Sequence, residues 1–372
     1  MKVLILTITA GEGHNTTAVA IQKELENRGV ECRVLDTCME ISRGLYNIIA
    51  KGYLLSTAEF KKTYSMIYGK LEKRKGNSYT GSLTRTTSGL IKKNLADYID
   101  EYCPDVIVYT HVFAGIFLDI IRQKKTITAK TVGVLTDFVM HPLWEETLRN
   151  DRVIIPNELT SSFVRRKGFS EDKILPLGIP IRPEFATSVP KDGARRLLGL
   201  DEHTPVIMLM GGSMGYGSLF KTVCEIDGLE MDLQIVSVCG NNEKAKAEID
   251  GHRFRHRVLN FGYTNQISLL MDAADCIVTK PGGLTTSEAL AKRLPMLICN
   301  PIPGHEERNA EFLCNCGVAA MITPTMSLPD VVHQVFSDPR RIELMREATD
   351  IIRKPNAARD LVDLVLSFDK EQ

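Results

Sequence analysis

The chain has 372 residues, too many for one ordinary domain and enough for two of roughly 150 to 200 residues that each bury a core. Its 46 basic and 46 acidic residues leave no formal net charge, so there is no global field for nucleic acid or a charged membrane, and any such attraction must come from local patches. Nine cysteines, an odd number scattered through apolar segments such as Val238-Cys239 and Ile298-Cys299, read as reduced core thiols of a cytoplasmic protein rather than a disulfide framework. The opening Met1-Lys-Val-Leu-Ile-Leu-Thr-Ile-Thr9 is too short and wrongly flanked for a signal peptide, and nowhere do about 18 apolar residues run together to span a membrane.

Strands and helices alternate, which predicts an α/β protein with doubly wound parallel sheets covered by helices. Residues 2–9 read as a buried strand, 16–28 as a helix closed by Gly29, and 31–35 as a second strand. Between residues 40 and 102 the pattern loosens into helical segments carrying Lys70, Lys73, Arg74 and Lys75 among apolar residues such as Phe60 and Tyr64. Such a stretch suits an anionic membrane surface, and equally a solvated helix face. Further strands are expected at 106–110, 131–136 and 152–156, and two prolines and a glycine in Leu177-Gly-Ile-Pro-Ile-Arg-Pro183 suit a stiff linker. The expected division is 1–185, then 200–345, with a terminal helical segment at 346–372 returning to the first domain.

The second half restarts with a strand at 206–210, followed by Gly211-Gly-Ser-Met-Gly-Tyr-Gly217, and continues through strands at 233–239, 258–261, 276–279 and 296–299. Loops that follow the strands of an open parallel sheet share one edge, so 211–217, 240–242, 262–264, 280–288 and 301–309 are expected to converge. The most telling is Lys280-Pro-Gly-Gly-Leu-Thr285, which joins a buried strand to a helix. Its Gly282-Gly283 turn would present unpaired helix N–H groups to a phosphate, and Glu288, one turn further, could accept ribose hydroxyls. Glu288 could as well be an ordinary acid near a helix start.

In the first half, Gly11-Glu-Gly13-His14 follows a strand and opens a helix, with Asp36 where a dinucleotide-binding fold places its ribose acid, but Thr16 stands at the third glycine position. His14 is a candidate general base toward an acceptor hydroxyl, or a packing histidine; Asp137 could orient it, bind acceptor or cap a turn. His141-Pro-Leu-Trp144 holds the one tryptophan, which could line an acceptor pocket, enter a lipid interface or pack in the core. Cys314-Asn-Cys316 has no second ligand pair at metal spacing, so no metal and no cofactor are expected.

Taken in order, these motifs, with Thr136-Asp-Phe, Cys239-Gly-Asn-Asn242, Phe261-Gly-Tyr263 and Gly304-His-Glu-Glu-Arg-Asn309, resemble the diacylglycerol glycosyltransferases of glycosyltransferase family 28. That group comprises plant monogalactosyldiacylglycerol synthase and bacterial processive diacylglycerol glucosyltransferases, relatives of the enzyme that makes lipid II. The resemblance covers about residues 3 to 320.

It implies a GT-B fold: two Rossmann-like domains, acceptor on the first and UDP-sugar on the second, inverting and with no required metal. Carried over by motif, His14 deprotonates the acceptor, with Gly13 beside it. Gly211, Gly212, Ser213, Gly282, Gly283, Leu284 and Thr285 steady the diphosphate, with Lys280 and Asn241 in neighbouring loops. Glu288 holds the ribose, Phe261 and Gly262 the uracil, and Gly304, His305, Glu306, Glu307 and Asn309 the sugar side. Glu12 stands where several relatives have glycine, and Glu306 near where many have glutamine, which leaves glucose, galactose or an N-acetylated sugar open. A peripheral enzyme on the inner face of the cell membrane, using diacylglycerol or a glycosyl-diacylglycerol, is the leading expectation. A UDP-sugar epimerase of the same fold and a nucleotide-sugar-binding or membrane-associated regulatory protein are the alternatives.

Overall fold

A computed structural model describes residues 1–9, 12–41, 94–123, 125–211 and 219–371. Lys70, Lys73, Arg74 and Lys75, with Gly212 and Ser213, lie outside the described residues. The chain divides into two units: Met1–Pro183 with Ile302–His305 and Asn356–Gln372, and Glu184–Pro301 with Glu306–Pro355.

The first unit is built on a parallel sheet of β1 (Lys2–Thr7), β2 (Glu31–Asp36), β3 (Val106–Tyr109), β4 (Lys130–Val134), β5 (Arg152–Ile154) and β6 (Ile174–Leu175), in the order β2-β1-β3-β4-β5-β6. β1 is a continuous apolar run because both of its faces are covered. Val3 and Ile5 pack with Ala18, Ile21 and Leu25 of the helix Glu12–Asn27, whereas Leu4 and Leu6 join the opposite layer with Phe117 and Leu118 of the helix Val112–Arg122. Gly29, at φ +71°, closes the first helix in the left-handed conformation that glycine adopts without cost.

The second unit repeats the architecture with β7 (Val206–Met210), β8 (Gln234–Val238), β9 (Arg257–Phe261), β10 (Cys276–Thr279), β11 (Met296–Ile298) and β12 (Ala319–Met321), all parallel, in the order β12-β11-β10-β7-β8-β9. β7, β10 and β11 are buried and apolar, and their residues join Val223, Val331 and Val332 from the covering helices in one core. β6 and β12 escape the sequence reading because two and three residues are too short to display a period.

Three boundaries differ from expectation. The Leu177–Pro183 segment is not a free spacer: Ile179 and Ile181 are buried and Gly178 N–H donates to the Ile155 carbonyl at 3.0 Å, so it finishes the first unit. The second unit begins already at Glu184, since the helix Lys191–Leu197 is tied to Asp275 through Lys191 and the buried Arg195, both at 2.5 Å. At the other end, the continuous helix Pro339–Ile352 runs through residue 346 within the second unit. It is the later helix Ala357–Ser367 that places Leu361, Val362 and Val365 in the β1 core of the first.

Candidate active site

In the first sheet, β1 has β2 on one side and β3 on the other, so the chain connections diverge between β1 and β3; crevices at such points hold ligands in open α/β sheets. The helix after β1 starts at Glu12, four residues earlier than the sequence pattern suggests, and carries Gly13 and His14 in its first turn. A Cβ on Gly13 would meet nothing within 4 Å, so packing does not require glycine there.

The half-buried His14 ring is held from β3. Its Nδ1 lies 2.7 Å from the Thr110 carbonyl and 3.2 Å from the Thr136 hydroxyl. A carbonyl only accepts, so Nδ1 carries the proton and the lone pair is on Nε2. The Thr110 hydroxyl donates to the His14 carbonyl at 3.2 Å and to Thr7 Oγ1 at 3.1 Å, which ties this helix start to both strands. Burial lowers the His14 pKa, partly offset by the charge of Asp137 and by the Thr110 bond. Asp137 therefore acts on His14 through its field, while the Thr110 carbonyl is the observed orienting partner.

His111, which the sequence reading passed over, caps the helix Val112–Arg122 by accepting from Phe113 N–H at 3.2 Å, and its ring meets His14 edge to face with centroids 4.5 Å apart. The signal was available: Thr110-His111 ends a strand and opens a helix as His14 does. His141 likewise caps the turn Pro142–Thr147. Among the described residues no group of three or more His, Cys, Asp or Glu could hold a metal ion.

Two first-half expectations are corrected. Trp144 is 5 % exposed and stacks on the buried Tyr109 at 5.5 Å, so it is core and neither lines a pocket nor meets lipid. Asp36 has no capacity for a ribose: its carboxylate accepts from the Thr9, Cys38 and Met39 N–H groups at 2.9 to 3.1 Å, closing one loop and capping the helix Thr37–Ile41.

In the second sheet the divergence falls between β7 and β10, between Gly211 and the Lys280–Thr285 loop. A cavity at this edge is lined by Met210 and Gly211 after β7, Cys239 and Asn242 after β8, and Cys299 and Asn300 after β11. The helix starts at Gly283, so Leu284 and Thr285 belong to its first turn and Gly282 is its N-cap, with no side chain over the end. A Cβ on Gly282 would stand 3.7 Å from Oε1 of the buried Glu306. Burial, and secondarily Lys280 against Glu306, sets the Cys299 thiol, pushed up to about 11, so both of those loops reach the end of β11.

Asn309 is fully buried and its amide donates to the Pro281 carbonyl at 3.0 Å. It braces the phosphate-type turn, a different task from gripping a sugar hydroxyl. Glu288 is buried on the same helix, whereas Glu307 and Asn241 are exposed and His305 is half-buried after Gly304, which has φ +94°. Phe261 ends β9, at the far side of the sheet from β10, and its carbonyl accepts from Cys239 N–H at 2.8 Å; Gly262 follows against Lys246.

Two Rossmann-like units with histidine chemistry on one and a bare helix N-terminus on the other define a GT-B glycosyltransferase, and the comparisons agree. Residues 14–181 match the family "Monogalactosyldiacylglycerol (MGDG) synthase" and residues 206–365 the "Glycosyltransferase family 28 C-terminal domain". The fold is similar to that of MurG from Acinetobacter baumannii, with a TM-score of 0.68 at 17 % identity over 98 % of this chain and 99 % of that one. It is also similar to a UDP-GlcNAc 2-epimerase from Neisseria meningitidis, with a TM-score of 0.59 at 13 % identity over 99 % and 100 %.

The chain belongs to the diacylglycerol glycosyltransferase family within glycosyltransferase family 28. Among its relatives is a processive diacylglycerol beta-glucosyltransferase of Bacillus pumilus, 29 % identical over 97 % of this chain and 94 % of that protein. Another of the same name from Bacillus cereus strain AH187 is 28 % identical over 98 % and 93 %.

Proposed function

We propose that this enzyme transfers a hexose, glucose before galactose, from a UDP-sugar to diacylglycerol or a glycosyl-diacylglycerol, with inversion and without a metal. The observation that carries the reading is the Nδ1 bond of His14 to the Thr110 carbonyl, which leaves a neutral imidazole with its lone pair on Nε2. Such a base takes the acceptor hydroxyl proton as the oxygen attacks the anomeric carbon. UDP departs from the opposite face through an oxocarbenium-like transition state. The N–H groups at Gly283, Leu284 and Thr285 stand at a helix N-terminus suited to the charge that grows on the diphosphate, a task a divalent ion performs elsewhere. The names of the relatives support glucose and diacylglycerol.

Among the described residues no helix is long and apolar enough to cross a membrane, so access to a lipid acceptor is read as peripheral, through an anionic surface met by the Lys70–Lys75 stretch. The test is a panel of UDP-sugars against diacylglycerol in neutral and anionic vesicles, with the product anomer determined for the wild type and His14→Ala. A β-glucoside made fastest on anionic vesicles, and a loss of about 10²- to 10⁴-fold in the variant, are expected. Full activity of His14→Ala would remove the base, and conversion of the UDP-sugar without acceptor would favour the epimerase reading.

A further inference from the structure

We propose that His111 is a positioning residue for His14: its ring, packed edge to face against the imidazole, fixes the base that Thr110 pins and keeps water from it. The inference rests on the transferase reading for its kinetic consequence, though not for its geometry. His111 is itself immobilised from two sides. Its Nδ1 accepts from Phe113 N–H at 3.2 Å, and its ring stacks on Phe113 with centroids 5.4 Å apart. Because Nδ1 is occupied as an acceptor, the neutral ring carries its proton on Nε2, and a second proton would set an N–H against the helix it caps.

The surroundings reinforce neutrality. Burial first, then His14 and His141, hold the His111 pKa well below its ordinary value, so this ring adds bulk beside His14 without adding charge. The titratable groups that act on His14 are Asp137, which raises its pKa, and His305, which lowers it. The interplanar angle of 64° is the edge arrangement that aromatic pairs favour, and it resists rotation of His14 about its side chain. Thr110 and His111 are consecutive, so one short segment after β3 supplies both the carbonyl that selects the tautomer and the ring that holds the plane.

The test compares wild type, His111→Asn, His14→Ala and the double variant, since asparagine keeps a helix cap while removing the ring. Rates would be measured with UDP-glucose and diacylglycerol between about pH 5 and 9, and the His14 ring followed by NMR titration of histidine-labelled protein. His111→Asn is expected to lower kcat about tenfold while leaving the UDP-glucose KM within about twofold. It should also raise the His14 pKa by about half a unit or more, as water reaches the ring, moving the acidic limb of kcat to higher pH. In the His14→Ala background the same substitution should cost nothing further. An unchanged His14 titration, or an equal loss in both backgrounds, would overturn the proposal. If the wild type makes no glycoside from UDP-glucose, the transferase reading is in doubt, and the titration alone still decides whether His111 positions His14.

Discussion

At the scale of single residues, the chemistry of the first unit depends on which nitrogen of His14 carries a proton. The Thr110 carbonyl decides that, and burial ensures that the ring is neutral where a base must be. Asp137 works in the opposite sense to burial, raising the His14 pKa by its charge. Asp137→Asn should therefore lower the His14 pKa further. Because the base is active only when unprotonated, the acidic limb of kcat should move to lower pH, while the plateau falls because the lone pair is less basic. A pH–rate profile reads both effects, and an acidic limb displaced upward would contradict this sign. His14 was legible in the sequence from its place after a strand and between glycine and a helix. Thr110 was not, because a backbone carbonyl leaves no mark in side-chain identity.

At the scale of elements, both units present the same device, a strand that ends in a short loop and feeds a helix start. After β1 the helix opens on Gly13 and His14, and after β10 it opens on Gly283 behind the Gly282 cap. The second of these turns is held by another element, since Asn309 of the helix His305–Asn315 bonds to the Pro281 carbonyl. Asn309→Ala leaves that buried carbonyl without this donor, which should cost about 1–3 kcal/mol of stability and raise the KM for the UDP-sugar more than it lowers kcat. Denaturant unfolding and initial rates check the two parts, and an unaltered KM would argue that the turn holds its shape without the brace. The glycines and the strand-to-helix junction were readable in order along the chain. The bracing was not, because Asn309 lies 28 residues from its partner and an asparagine in a polar loop motif looks like a ligand group.

At the scale of the whole molecule, the units keep separate cores, yet the last helix belongs to the first. Leu361, Val362, Val365 and Phe368 pack among Val3, Ile5, Ala18 and Ile21. Removing Asn356–Gln372 would expose that face and delete four buried side chains, each contributing about 1.5–3 kcal/mol, against a typical domain stability of about 5–15 kcal/mol. A chain ending at Pro355 should unfold in its first unit while the second retains cooperative melting. Two unchanged transitions in calorimetry would show that the helix is an accessory.

Composition, alternation of apolar strands with helices, and the ordered loop motifs determined by themselves a two-unit α/β protein of the diacylglycerol glycosyltransferase family, because those signals are local and repeat along the chain. The tertiary structure decided what depends on distant pairs. It sent Trp144 into the core against Tyr109, occupied Asp36 with backbone N–H groups, returned the final helix to β1, and set Thr110 and His111 beside His14 across 96 and 97 positions of chain. Parallel strands make this unavoidable: neighbours in the sheet are joined only through long crossovers, so the residues that meet at its carboxyl edge are never neighbours in sequence.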